Sequence, residues 1–282
     1  MDRLRVGIST CPNDTFAFHA LLTGAHAIDG VALDFTLADV QELNEGAAAG
    51  AFEVVKVSYA AVLGLTDRYR MLSAGSALGF GVGPVVLGRA DGPDLDGLGP
   101  DARVLAPGAG TTAHLLWQLF HPGRGRLEQQ PFFEIMPALE AGRADAGVCI
   151  HEGRFTWRER GLTLLEDLGQ TWEQATQAPL PLGGIAIART VPEALAQRIA
   201  GAVRTSIEAA RRDPQPTLAT MRQYAQEHSD AVLWQHVDLY VNDQTVDLGP
   251  SGRRAVEELA RRARERGLLP NGATLEVVEP QS

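Results

Sequence analysis

At 282 residues and 45% hydrophobic, the chain is long enough for about two domains and for a core that needs no staples. A net charge of -10, from 25 basic and 35 acidic residues with no arginines interleaved with aromatics, argues against nucleic acid as a partner. Cys11 and Cys149 stand outside any C-x-x-C pattern, no apolar run nears the ~20 residues of a membrane helix, and the amino terminus shows no secretory pattern; a cytoplasmic protein without membrane insertion is expected.

Leu4 to Ile8 reads as a strand, followed by a polar turn and an apolar-periodic helix from Phe16 to Leu22 that Asn13 or Asp14 can cap. A strand running into a helix N-terminus leaves N–H groups suited to an anion or a carbonyl oxygen. Val31 to Leu37 alternates as a second strand, Val40 to Ala49 forms a helix carrying Asn44, and Phe52 to Val57 is a third strand before a helix from Ser58 to Leu65. This alternation predicts a mostly parallel sheet. Lys56 and Ser58 fall at the carboxyl end of the third strand, and Lys56 is the only lysine in the chain. Where arginine serves everywhere else, a single ammonium suggests a compact point charge, although chance survival explains it equally.

The glycines at 79, 81 and 83 loosely match a nucleotide fingerprint, but Pro84 and the strand Val85 to Arg89 follow where a helix should open, which excludes a dinucleotide fold. Residues 91–100 read as a linker. Val104 to Ala106 is then a strand, P-G-A-G a turn, and Thr111 to Phe120 a helix with Thr111 and Thr112 at its start. No lysine follows the last glycine, so carboxylate or hydroxyl groups rather than nucleotide phosphates are expected there. A helix from Pro131 to Gly142 feeds the buried strand Val148 to Ile150, which delivers His151 at its carboxyl end, where ligands bind in open α/β sheets. An imidazole suits proton transfer near neutrality; the plainer alternative is a strand-end histidine satisfied by a carbonyl. Leu162 to Leu165 is a further strand, the stretch up to Pro181 is irregular, and residues 183–189 cross back as a strand. The helices Pro192 to Arg212, Pro216 to His228, Asp230 to Tyr240 and Gly252 to Arg266 close the chain as packing elements, with His228 and His236 on helix surfaces.

Two α/β lobes are therefore expected, residues 1–90 with 185–282 and residues 91–184, with a ligand cleft between them. His151 and Glu152 begin like a zinc-protease H-E-x-x-H, but Phe155 takes the second histidine's place, so no metal is expected.

Several stretches taken together resemble one family: C-P-N-D-T-F-A-F at 11–18, K-V-S-Y-A-A at 56–61, the glycine-rich text at 75–84, P-G-A-G-T-T-A at 107–113, I-H-E-G-R-F-T at 150–156, L-P-L-G at 180–183 and Y-V-N at 240–242. In order and over nearly the whole chain, they are similar to the 1,4-dihydroxy-6-naphthoate synthase family of the futalosine route to menaquinone. The resemblance implies a two-lobe type II periplasmic-binding-protein-like fold and a cofactor-free carbon–carbon lyase. Its substrate would be cyclic dehypoxanthine futalosine, a carboxylated bicycle joined to a sugar-derived ring. It places the general base on His151 and substrate contacts on Lys56, Val57 (through its backbone), Ser58, Thr111 and Thr112, with Asn13 and Asn44 lining the cleft. The competing expectations are chorismate dehydratase of the same pathway and a non-catalytic small-molecule receptor. Oligomeric state is not legible.

Overall fold

The computed structural model describes residues 2–151, 153–225, 229–270 and 274–281 and divides its strands between two mixed sheets. The first run is β1 (Asp2–Ser9), α1 (Pro12–Ala17), α2 (His19–Leu22), β2 (Val31–Ala38), α3 (Val40–Ala49), β3 (Val54–Ser58), α4 (Tyr59–Val62), β4 (Tyr69–Leu72) and β5 (Ala77–Gly79). The middle run is β6 (Val85–Arg89), β7 (Arg103–Ala106), α5 (Thr112–Phe120), β8 (Arg126–Gln129), α6 (Phe132–Glu140), β9 (Ala146–Cys149), α7 (Gly153–Thr156), β10 (Leu162–Asp167) and α8 (Leu168–Thr176). The chain returns through β11 (Leu180–Ala188) to α9 (Glu193–Arg212), α10 (Thr217–Tyr224), α11 (Asp230–Tyr240), α12 (Asp243–Val246), α13 (Gly249–Glu265) and β12 (Val277–Val278).

The first sheet has the order β12-β4-β11-β3-β1-β2, with β5 also on β11; the second is β10-β6-β9-β7-β8. The parallel pairing expected to predominate is found where strands alternate with helices: β1 with β2 and β3, and β7 with β8 and β9. Elsewhere it gives way. β11 runs antiparallel to β3, β4 and β5, and β6 and β10 are antiparallel in the second sheet. β6 and β11 arrive from the other layer, so no βαβ crossover dictates their direction, and β10 is antiparallel only to β6.

Val85 of β6 lies opposite Cys149 in the second sheet, so the chain leaves the first sheet in the Phe80–Pro84 segment, where Gly81 (φ 72) and Gly83 (φ 125) supply the turn. Residues 91–100 are accordingly a loop within the second layer. On the return, Leu180 already pairs with Gly79.

The stretch expected to be irregular before Pro181 contains α8. Asp167 caps it by accepting from Gly169 N at 3.0 Å and Gln170 N at 3.2 Å, and Gln177 at φ 55 ends it. Both prolines that suggested irregularity, Pro179 and Pro181, lie beyond its end. The first helix starts at Pro12 rather than Phe16, with Cys11 at its N-cap and no side-chain cap from Asn13 or Asp14.

One core cluster runs through both sheets, from Tyr59 and Met71 to Trp117, Val148, Trp172 and Leu259. The amphipathic face of α9, including Ala196, Ile199, Val203 and Ile207, covers the outer side of the first sheet. Phe16 of α1 packs with Met221, Leu233 and Val237, which docks α10 and α11 onto the start of α1 and carries α11 to the rim of the cleft. No helix of the described residues is long and apolar enough to cross a membrane.

The crossing between sheets is tight at Gly169, where an added Cβ would lie 1.9 Å from the Val82 carbonyl oxygen. Backbone on both sides leaves little room to yield. Gly169→Ala is therefore expected to lower stability by about 2–4 kcal/mol, read as a lower urea midpoint with an unchanged m-value.

Candidate functional site

Because β1 and β3 are parallel neighbours, their carboxyl ends emerge side by side and bring the β1–α1 turn against Lys56. Lys56 Nζ lies 2.7 Å from Asp14 Oδ1, with both side chains almost wholly buried. A buried ammonium is tolerable only when paired and hydrogen-bonded. Ser9 Oγ donates to the other carboxylate oxygen of Asp14, Asn13 Nδ2 donates to Oδ1 at 2.9 Å, and Lys56 Nζ also reaches Gly75 O at 3.5 Å. The sole lysine is thus one half of a neutral pair.

Ser58, one turn of strand further, is clamped by Asn44: its N–H donates to Asn44 Oδ1 at 2.9 Å and its Oγ accepts from Asn44 Nδ2 at 3.1 Å. The Val57 side chain is fully buried and its backbone lies opposite Gly184 in the β3–β11 ladder, between the cavity-lining Lys56 and Ser58.

The facing wall comes from the second sheet. Thr111 caps α5, its hydroxyl accepting from His114 N at 3.2 Å and donating to Gly108 O at 2.8 Å. Thr112 Oγ1 donates to Leu182 O at 2.7 Å and accepts from Ala60 N at 3.3 Å, and Gly110 N donates to Gln41 Oε1 at 3.1 Å. Both hydroxyls are therefore spent inside the protein, and the Thr112 hydroxyl and the Gln41 amide oxygen tie the two layers together. The N–H groups of Thr112 and Ala113 remain: in the first turn of a nine-residue helix they have no intrahelical acceptor, and both residues line the cavity.

His151 follows β9 with φ 54, a left-handed conformation uncommon outside glycine, and this swings its ring into the cleft. Cys11 Sγ of the opposite wall lies 3.3 Å from Nδ1 and 3.6 Å from Nε2. Phe132 meets the ring edge-on at 4.7 Å, and His236 lies nearly parallel to it at 6.1 Å between centroids. Burial, and then the nearby Lys56 charge, push the His151 imidazole down to about 4. At neutral pH it is a buried, uncharged base.

Asn13, Lys56, Ser58, Thr111, Thr112 and His151 thus line one cavity of about 90 Å³, with Asn44 directly behind Ser58. Ligand pockets are typically several times larger, so an organic substrate needs the walls to part. Among the lining residues outside the expected set are three with titratable side chains, Cys11, Asp14 and His236. His236, expected on a helix surface, is 1% exposed, because the docking of α11 on α1 turns it inward. Its one sequence signal is the spacing of four to Tyr240, which places both on one helical face; their rings lie 4.6 Å apart. His228 lies outside the described residues, as does Glu152. Among the described residues, no three His, Cys, Asp or Glu side chains are grouped to hold a metal ion.

Residues 4–265 match a family model described as menaquinone biosynthesis. The chain belongs to that family. Relatives named 1,4-dihydroxy-6-naphthoate synthase are 42% identical in Streptomyces coelicolor, over 95% of each chain, and 44% identical in Thermus thermophilus, over 95% of this chain and 96% of the relative. Among solved structures, a protein of Archaeoglobus fulgidus shares 31% identity at a TM-score of 0.89, covering 95% of this chain and 98% of its own. The alkanesulfonate-binding protein of Xanthomonas axonopodis, 15% identical with a TM-score of 0.73 over 98% and 96% of the two chains, shares the fold. This menaquinone-biosynthesis chain is thus built on the periplasmic-binding-protein-like fold that the resemblance implied.

Removing one partner of the Lys56–Asp14 pair leaves an uncompensated charge in the family's cleft. Asp14→Asn is expected to cost about 3–5 kcal/mol of stability in urea titration, well above the effect of a typical surface change.

Proposed function

We propose that the chain is a cytoplasmic lyase that converts cyclic dehypoxanthine futalosine into 1,4-dihydroxy-6-naphthoate and a small sugar-derived fragment. The observation that carries this reading is His151, a neutral imidazole facing a cavity whose opposite wall holds the β1–α1 turn. The names of the relatives at 42% and 44% identity support the same substrate.

In this account His151 takes a proton from the sugar-derived part, a carbon–carbon bond to the bicycle breaks, and the bicycle becomes aromatic. The electron pair of the broken bond stays with the forming ring, so no redox cofactor is assigned. The N–H groups of Thr112 and Ala113 at the start of α5 hold a substrate oxygen as charge gathers on it. Ser58, fixed by Asn44, offers a polar contact from the other side. The Lys56–Asp14 pair adds no net charge but holds the turn, and its ammonium adds to the burial that keeps His151 deprotonated. For substrate to enter, the contacts from Thr112 to Leu182 and from Gly110 to Gln41 must open, so the moving lobes are proposed as residues 85–179 against the rest.

Purified protein incubated with cyclic dehypoxanthine futalosine and no added cofactor is expected to release 1,4-dihydroxy-6-naphthoate, detected by fluorescence and mass. Consumption of chorismate instead, or binding without turnover, would overturn the reading. His151→Ala is expected to bind substrate but lose turnover by about 10²-fold or more, measured in single-turnover assays.

A further inference from the structure

Buried polar atoms in folded proteins nearly always have a partner. Among the described residues, three side-chain atoms are buried without one: Arg70 Nε, Arg204 Nε and His236 Nδ1. The two arginines use their other nitrogens, Arg70 on Glu193 and Arg204 on Asp247. His236 is different in kind: it belongs to the cavity wall, and its ring has only one other nitrogen.

The neighbouring network fixes the state of that ring. A carboxylate can only accept, and Asp14 accepts from Lys56, Ser9 and Asn13 Nδ2. Asn13 is therefore turned with its amide oxygen away from Asp14, and that oxygen lies 3.0 Å from His236 Nε2. An amide oxygen accepts, so Nε2 carries the proton and Nδ1 keeps its lone pair. Burial first, then the His151 and Lys56 charges, push the His236 imidazole well below its ordinary value, so Nδ1 does not gain a proton of its own. The chain from Lys56 through Asp14 and Asn13 thus ends in a neutral acceptor in the wall of the cavity.

The ring of His151 lies nearly parallel to that of His236, with an interplanar angle of 20° and 6.1 Å between centroids. Both imidazoles serve the same end of the cavity. We propose that His236 Nδ1 accepts a hydrogen bond from a hydroxyl on the sugar-derived ring of the substrate, beside the position where His151 takes its proton. This inference rests on the reading given under Proposed function. A lone pair discriminates by chemistry: it holds an O–H and repels a carboxylate, so it selects for the hydroxylated part of the ligand over its acid group. The aromatic product has shed that ring and makes no use of the contact.

The test compares substrate kcat/KM with product Kd in His236→Leu, His236→Gln and His236→Asn. The Leu variant is expected to lose about 10- to 100-fold in kcat/KM for cyclic dehypoxanthine futalosine while binding 1,4-dihydroxy-6-naphthoate as the unaltered chain does. Asn places its Oδ1 near the Nδ1 position and is expected to recover part of the loss; Gln places its amide nearer to Nε2 and is not. Should His236→Leu fail to fold, Gln against Asn gives the same comparison. Equal loss of substrate and product affinity would make His236 a packing residue and overturn the proposal, as would unchanged substrate kinetics in the Leu and Gln variants. If the unaltered chain itself does not turn over the substrate, the proposed function falls and this inference with it; turnover by the unaltered chain with no discrimination among the variants removes this inference alone.

Discussion

The site depends on one buried ion pair. Lys56 and Asp14 face each other at 2.7 Å in a region nearly closed to water, where an isolated charge would cost several kcal/mol. Desolvation offsets much of what the pair gains, so its importance lies in what it orders. Asp14 collects donors from Ser9, Asn13 and Lys56, which fixes the β1–α1 turn. Burial disfavours the charged form of the His151 and His236 imidazoles, and the nearby ammonium adds to this, so both stay neutral. Through Asn13 the pair also determines which nitrogen of His236 carries a proton.

The architecture explains how these groups meet. Parallel β1 and β3 bring the turn and the lysine together, while β9 in the second sheet delivers His151 from the other side. Mixed strand directions reflect a chain that crosses between layers twice, each time near the cavity: Gly83 and Pro84 of the first crossing line it, as do Leu182 and Gly183 just after the return. The Thr112 hydroxyl, bound to Leu182 O and Ala60 N, joins the layers beside the N–H groups assigned to the substrate. In the proposed reading, closure and oxygen binding share one helix start. An alkanesulfonate-binding protein shares this fold, and in that reading proton transfer falls to the histidine held in left-handed conformation at a strand end.

Much of this was legible in the sequence, for physical reasons. Alternating strand and helix patterns in the first lobe gave β1, β2, β3 and α3, and the apolar run before His151 announced a strand ending in the cleft. The resemblance placed Lys56, Ser58, Thr111 and Thr112, and the cavity gathers all four. What escaped were features that exist only in three dimensions. The Asp14 partner of Lys56 was read as a helix cap, because sequence separation hides a pairing made between neighbouring strand ends. His236 sat in a helix that looked like packing, and only the docking of α11 against α1 turns it inward. The hydroxyls of Thr111 and Thr112 looked like ligand donors until their carbonyl partners, Gly108 and Leu182, were in place. α8 carries a glycine and few apolar residues, and its capping by Asp167 is a tertiary fact more than a periodic one.

The central claim is that the cleft holds His151 uncharged under working conditions. Ring ¹⁵N spectra of histidine-labelled protein, assigned by comparison with His151→Ala and recorded from about pH 8 down to about pH 4, measure this directly. The account predicts that His151 keeps the pattern of a neutral imidazole through the ordinary histidine range and begins to protonate only as pH approaches about 4. A His151 that titrates near the ordinary histidine value of 6.5 would contradict it.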